Sequence, residues 1–387
     1  MIAPSAWVEV NLKRLNHNLL EVKRIINSNV RLMAVVKANA YGHGMIMVAR
    51  QAVKSGADML AVARLDEAIE LREAGINLPV LVFGFTHQIN MVKLIEYDLT
   101  QTVFSFQSAK WLSEAAGACG KKIKIHLKID TGMGRTGFWA ADIDTIVGEI
   151  IKTVSLSGLE IEGIYTHFAS ADGHDKTYAK KQYGLFLDIL NRLRLKKIHI
   201  PVKHAANSAA IIDMPETHMD MVRAGIMIYG LYPSEEVQKE RVNLKPVMTL
   251  KTIVTHLKKV PAGFKVSYGS TYKSIKPTVI ATVPMGYSSG LNRLLSSSPS
   301  NNNINGYMLL HGCKVPIAGR VCMDMTMLDV GNLFLLSEDV RVGDEVVVFG
   351  EQEGTDITVD QIAKAINTIN YEVVTGISDS LPRINQT

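Results

Sequence analysis

Two textures of apolar and polar positions divide the chain. Over about 240 residues from the N-terminus, short apolar runs end in polar or glycine residues and are followed by longer stretches with helical spacing. The runs predict strands over Leu32–Val36, Met59–Ala63, Val80–Phe83, Gln101–Phe104, Lys122–Ile129, Ile161–His167, His199–Ala205 and Met219–Gly225. Between them, "MIMVARQAVKSG" and "LDEAIELREAG" carry helical spacing. The second sets Leu65, Ala68, Ile69 and Arg72 on one face and closes on Gly75. Strand–helix alternation builds a parallel sheet. Eight such units fit an N-terminal (β/α)8 TIM barrel in size and count, with a doubly wound open sheet as the competing architecture.

After about Leu244 the pattern changes. "VMTLKTIVTHLKKV", "PTVIATVPMGY", "YMLLHGCKVPIAG" and "EVVVFG" are β-rich runs separated by Gly, Pro, Asn and Asp turns, which predicts a mainly antiparallel C-terminal β domain. "VDQIAKAINT" reads as its one clear helix, and residues 296–305 as a mobile surface loop. The expected division is a barrel over residues 1–242, whose first strand can pack with the β domain, and a β domain over 243–387.

Composition narrows the class. Of 387 residues, 47% are hydrophobic and 20% charged, ordinary for a globular enzyme. The 42 basic and 37 acidic residues give a net charge of +5 and are scattered, so no stripe for nucleic acid is expected. Cys119, Cys313 and Cys322 are too few and too spread for a disulfide framework or a metal site. The N-terminal stretch lacks the apolar core of a secretory signal. No apolar run is long enough to span a membrane, so the expected compartment is the cytoplasm.

Barrel enzymes collect their chemistry at the C-terminal ends of the strands. The predicted strands end there in Lys37, in Lys128 and Asp130 with Arg135 just beyond, in His167, in His204 with Asn207 and Ser208 beyond, and in Arg223. A single lysine after a strand is usually a solvated strand end. Five strand ends carrying titratable groups point instead to a site. "GMGRTG" matches dinucleotide-binding spacing at Gly132, Gly134 and Gly137, which raises a nicotinamide-dependent oxidoreductase as a rival. Four strand–helix units precede it, and its strand alternates Lys122, Lys124, His126 and Lys128 with apolar residues, both unlike that motif's usual setting. Arg135 inside the loop suits an anionic group. A lysine on a pocket floor flanked by anion-binding elements suits a Schiff base with pyridoxal 5'-phosphate (PLP). "ANSAA" can open a helix with free N–H groups near Asn207 or Ser208, "RAGI" offers the backbone of Gly225 and Ile226, and Tyr41 a phenol donor.

Together, "AVVKANAYGHG", "KIDTGMGRTGF", "THFASAD", "HAANSAA", "MVRAGIMIYG", "VSYGSTY", "VPMGYSSG", "GRVCMDM" and "INYEVVTGISDSLPR" resemble the bacterial alanine racemases, from Trp7 to Arg383. The resemblance implies a PLP-dependent barrel with a C-terminal β domain, acting on alanine as a homodimer with shared active sites. Carried over residue by residue, it makes Lys37 the Schiff-base lysine and one catalytic base, and Tyr268 the second base, reaching in from the other subunit. Tyr41, Ser208, Gly225, Ile226 and Tyr371 would hold the phosphate, and Arg223 would face the pyridine nitrogen. Arg135 and the backbone of Met323 would hold the substrate carboxylate. His167 would tune Tyr268, and His204 and Asp324 would support the site. Lys128 matches a position that many members carbamylate. The implied role is D-alanine supply for peptidoglycan. A broader amino-acid racemase, acting on serine for example, is the alternative. A non-catalytic PLP-carrying barrel protein would lack "VSYGSTY".

Overall fold

The computed structural model describes residues 3–297, 306–335 and 340–386. All but the first two residues of the expected 296–305 loop lie outside the described residues. The chain forms two compact units: Lys13–Ala40 with Met45–Lys245, and Met1–Leu12 with Tyr41–Gly44 and Pro246–Thr387.

The strand β1 (Ala6–Val10) belongs to the second unit. The first unit holds eight parallel strands: β2 (Arg31–Val35), β3 (Met59–Val62), β4 (Val80–Val82), β5 (Thr100–Val103), β6 (Ile123–Lys128), β7 (Leu159–Tyr165), β8 (Val202–His204) and β9 (Met221–Ala224). They pair in the order β8-β7-β6-β5-β4-β3-β2-β9. The ring is nearly closed where the Asp220 N–H donates to Lys203 O (3.1 Å) and the Arg223 N–H to Ala206 O (3.0 Å). This is a barrel and excludes the open doubly wound sheet. Strands β3, β4 and β5 are buried along their whole length, as a parallel sheet with both faces covered requires. The outer helices are amphipathic. Ile143–Val154 buries Ile146, Val147 and Ile150, and starts where Asp142 accepts the Thr145 N–H.

Five of the eight strands are shorter than the apolar runs, while β2, β5 and β7 keep the expected length and start one or two residues earlier. The run His199–Ala205 pairs only over Val202–His204, because Pro201 has no N–H to give a ladder. The register of β6 against β7 slips at one point. Ile125 faces Ile161 and His126 faces Gly163, so Glu162 is an extra residue in β7, a β-bulge.

The second unit carries a seven-stranded sheet in which β1 lies between Met248–Ile253 and Arg383–Asn385, the first pairing antiparallel and the second parallel. A three-stranded antiparallel sheet of His256–Val260, Thr278–Val283 and Thr326–Asp329 and a short two-stranded pair complete it. The unit holds more helix than the sequence suggests. Besides Val359–Ala365 there are helices over Gly331–Leu335 and Asn370–Thr375. "NYEVV" is therefore helical and not a strand. Asn370 is anchored to Asp360 (2.8 Å), and the Thr375 hydroxyl bonds back to Tyr371 O, which closes a turn too short to show a helical period.

One buried amide ties the barrel's outer loops together. Asn18 on the helix Leu12–Ile25 is fully buried. Its Nδ2 donates to Ile228 O (3.1 Å) and Lys245 O (2.9 Å), and its Oδ1 accepts the Lys245 N–H (2.8 Å). Replacing Asn18 with Ala strands three backbone groups and is expected to cost about 1–3 kcal/mol. A urea unfolding midpoint lowered with an unchanged slope would register this.

Candidate active site

The chain leaves β2 through an unusual turn. Ala38, Asn39, Ala40 and Tyr41 all have left-handed backbones, with φ of +53°, +50°, +54° and +52°. Each costs about 1–2 kcal/mol in an L-residue, so the turn must be held. The Ala38 N–H donates to Glu67 Oε1 (2.6 Å) and the Ala40 N–H to Val36 O (2.8 Å). Asn39 Oδ1 accepts the Met45 N–H at the start of the next helix (2.7 Å). The other oxygen of Glu67 takes the N–H groups of Ala63 (2.8 Å) and Arg64 (3.1 Å) beyond β3. Glu67 was not singled out from the sequence. Its only signal is its place in a helix's first turn, three residues after Arg64. The turn starts at Lys37, whose amine is pulled below its ordinary value by burial and by Arg135, against an opposing pull from Glu67.

The glycine-rich loop after β6 is folded around Asp130. Its Oδ1 accepts the N–H groups of Gly132 (2.9 Å), Met133 (2.8 Å) and Gly134 (3.1 Å), and its Oδ2 that of Arg135 (3.0 Å). The amides that would cradle a dinucleotide phosphate are thus consumed, which removes the physical basis for the nicotinamide reading. Burial pushes the Asp130 carboxyl up, but the loop amides and Lys128 pull it further, to below its ordinary value. The loop ends on Gly137, whose φ of +141° and 2.4 Å gap between an ideal Cβ and the Asp130 nitrogen admit no side chain. Arg135 is left exposed at the rim.

Arg223 is the buried centre of the barrel end. Its guanidinium donates to Thr166 O and Ala205 O (2.8 Å each), to His204 Nδ1 (2.9 Å) and, more weakly, to His167 Nδ1 (3.3 Å). It stands over the Tyr165 ring at 5.2 Å, as the Lys128 amine does at 5.4 Å. Among the described residues no carboxylate pairs with Arg223. Burial draws its pKa down to about 10, which still leaves it charged at neutral pH. Burial and Arg223 draw Lys128 to about 7 and hold His167 well below the ordinary imidazole value. Arg135 and Lys37 also act on His167, so four cations converge there. Lys128 Nζ donates to Ile129 O (3.2 Å). Tyr165, which stacks on His204 with ring centroids 4.6 Å apart, was not foreseen, because its neighbours along the strand are ordinary barrel residues.

The residues fit PLP. Lys37 lies just beyond β2 and Arg223 in the neighbouring strand β9, which pairs with β2 from Met221 to Ala224. Past β9 and β8, the buried backbone N–H groups of Ile226 and Ser208 have no acceptor among the described residues. Ser208 Oγ accepts the Gly225 N–H (3.0 Å), and Asn207 caps the helix through the Ala210 N–H (3.1 Å). Free buried amides beside a cationic end suit a phosphate. In the second unit, the Tyr41 and Tyr371 rings lie 6.2 Å apart, and burial pushes the Tyr41 phenol up, keeping it a donor. Tyr268 is 73% exposed, and its hydroxyl has no partner among the described residues. It sits in a strained turn, where Ser267, Gly269 and Ser270 have φ of +64°, +70° and +50°. Met323 O accepts the Ser288 N–H (2.9 Å), and Asp324 accepts the Ser288 hydroxyl (2.8 Å).

Because its folded pKa lies below the ordinary value, ionised Asp130 stabilises the fold above about pH 4 and stops doing so as pH falls through the folded value. Asp130→Asn should therefore melt lower than wild type at neutral pH. The gap should narrow on acidification, which thermal melts at a series of pH values will read.

Two family descriptions match the chain, "Alanine racemase, N-terminal domain" over residues 10–233 and "Alanine racemase, C-terminal domain" over 247–385. An alanine racemase of Desulfosudis oleivorans is 51% identical over 386 residues, covering 98% of this chain and 96% of the relative. One of Methanococcus maripaludis is 47% identical, covering 99% of both chains. Among solved structures, the alanine racemase of Clostridium difficile in complex with cycloserine superposes with a TM-score of 0.90 at 39% identity, covering 99% of this chain and 96% of that one. The Bacillus anthracis alanine racemase with bound L-Ala-P superposes at 0.91 and 36% identity, covering 100% and 96%. The chain belongs to the alanine racemase family of pyridoxal 5'-phosphate-dependent isomerases.

Proposed function

We propose that this chain interconverts L- and D-alanine by passing the α-proton between two bases, Lys37 on one face and Tyr268 of a second copy of the chain on the other. The observation that carries this reading is the pairing of a desolvated Lys37 amine with a buried Arg223 that has no acid beside it. The two carboxylates described at this barrel end, Glu67 and Asp130, are taken up by backbone amides. Bound PLP supplies an electron-withdrawing ring that acidifies the α-proton of the amino acid. Lys37, drawn below its ordinary value by burial, is the better proton acceptor for it. Arg223 would face the ring nitrogen and could only donate to it. It disfavours a protonated ring and keeps electron withdrawal modest, which favours returning the proton over side reactions.

The same donor logic extends to His167. Arg223 Nη2 gives its two hydrogens to Thr166 O and Ala205 O, and its 3.3 Å approach to His167 Nδ1 favours the tautomer with the proton on Nε2, where it can donate to a phenolate oxygen. That suits His167 as the group that tunes Tyr268. The exposure of Tyr268 on a strained turn favours a residue presented to another copy. Ser208, Gly225, Ile226, Tyr41 and Tyr371 are the proposed phosphate holders. Arg135 and the Met323 backbone are the proposed carboxylate holders, with His204 and Asp324 supporting them. Lys128, drawn to about 7, has a substantial neutral fraction near physiological pH and is fit to take up carbon dioxide as a carbamate. D-Alanine is a building block of peptidoglycan, and we assign the enzyme to its supply in the cytoplasm. No helix among the described residues is long and apolar enough to cross a membrane.

The purified protein should exchange the α-proton of both L- and D-alanine in heavy water, and Lys37→Ala and Tyr268→Phe should each remove most of the activity. Mixed dimers give the sharper test. A Lys37→Ala chain paired with a Tyr268→Phe chain leaves one intact site in two. Random mixing makes half of the dimers mixed, so about a quarter of wild-type activity should return. Two inactive variants that stay inactive on mixing would sink the shared site.

A further inference from the structure

His126 stands behind the site and has no part in the chemistry above. It lies on β6, is 1% exposed, and its ring projects into the barrel. The neighbouring strand makes room for it twice over. The bulge at Glu162 brings Gly163 opposite His126, and an ideal Cβ on Gly163 would lie 2.7 Å from His126 Cε1 and Nδ1. A bulge and a side-chain-free position on a central strand both weaken a sheet, so admitting this ring has a cost.

Arg223 reaches His126 through His204, and each hydrogen bond of that chain has one possible direction. A guanidinium has only donors. Its Nη1 lies 2.9 Å from His204 Nδ1, so that nitrogen is bare and the neutral His204 carries its proton on Nε2. His204 Nε2 lies 2.9 Å from His126 Nδ1, so His126 Nδ1 must accept, and its own proton is on Nε2. Burial, Arg31 and Arg223 hold His126 neutral, at about 3, and burial with Arg223 does the same for His204. Tyr165, stacked 11° from parallel on His204, fixes the plane of that ring.

We propose that His126 is a positioning residue for Arg223: it holds His204 in the Nε2–H tautomer and so keeps the Nδ1 lone pair on the guanidinium. Without an acceptor at His126, the His204 N–H is buried and unpaired. The alternative tautomer turns an N–H against the Arg223 N–H, and the guanidinium swings away from the acceptor. The tautomer follows from geometry alone. The effect on turnover rests on the proposed role of Arg223 at the ring nitrogen.

The test uses the full chain labelled with nitrogen-15 histidine, with and without added PLP, and long-range proton–nitrogen spectra. In wild type, His204 should show a protonated Nε2 and a bare Nδ1. In His126→Leu the two tautomers should mix, and kcat for alanine should fall about tenfold with KM little changed. His126→Asn places an oxygen near the lost Nδ1 and should restore both the tautomer and most of kcat. A wild-type His204 protonated on Nδ1, a Leu variant that keeps a single tautomer, or an Asn variant as slow as the Leu variant would each overturn the proposal. If the Leu variant fails to fold, the wild-type spectrum and the Asn variant decide. The expected tautomer in a chain without racemase activity would remove the functional reading and leave the positioning of His204 standing.

Discussion

A guanidinium buried in a barrel without a counter-ion among the described residues is the constraint on which the candidate site depends. Taking an ionised group out of water is costly unless it is paired or fully hydrogen-bonded. Arg223 takes the second course, through two carbonyls and two imidazoles. Each partner is thereby committed. His204 and His167 must stay neutral to accept, and burial, together with the charge that they accept from, keeps them so. Lys128 is drawn down by the same field. Burial and this one cation together set the protonation states of the barrel end, and leave it rich in positive charge that a phosphate and a carboxylate can offset.

Glu67 and Asp130 at that end serve the backbone. Glu67 pins the left-handed turn after Lys37, and Asp130 winds the glycine loop that presents Arg135. Both hold strained or glycine-dependent segments next to Lys37 and Arg135, and both are held by backbone N–H groups without a salt bridge among the described residues. A full carboxylate beside Lys37 would hold the amine protonated, and one beside Arg223 would offset the charge that keeps its histidines neutral. The second unit shows the same economy at Tyr268, where three positive-φ residues in four present an exposed phenol.

The barrel was legible because buried parallel strands are apolar on both faces and are punctuated by polar ends, a pattern that survives in the sequence. The placement of Lys37, Lys128, His167, His204 and Arg223 at or near strand ends was legible as well, since those ends are marked by polar residues after apolar runs. Boundaries blurred where Pro201 delayed the start of a ladder. The helix carrying Tyr371 was hidden by its length, six residues being too few to show a period. Glu67, Tyr165 and His126 looked like ordinary helix-start or strand residues, and the glycine loop looked like a phosphate cradle.

The sequence by itself determined the two textures, the eight strand–helix units and the family, because these rest on periodicity and on long motifs. Only the tertiary structure decided which way each polar group faces. It turned the amides of "GMGRTG" inward onto Asp130, set a bulge and Gly163 against His126, and left Arg223 without an acid. Those outcomes depend on contacts between residues far apart in the chain, and hydrogen-bond direction is a property of such contacts and not of any local pattern.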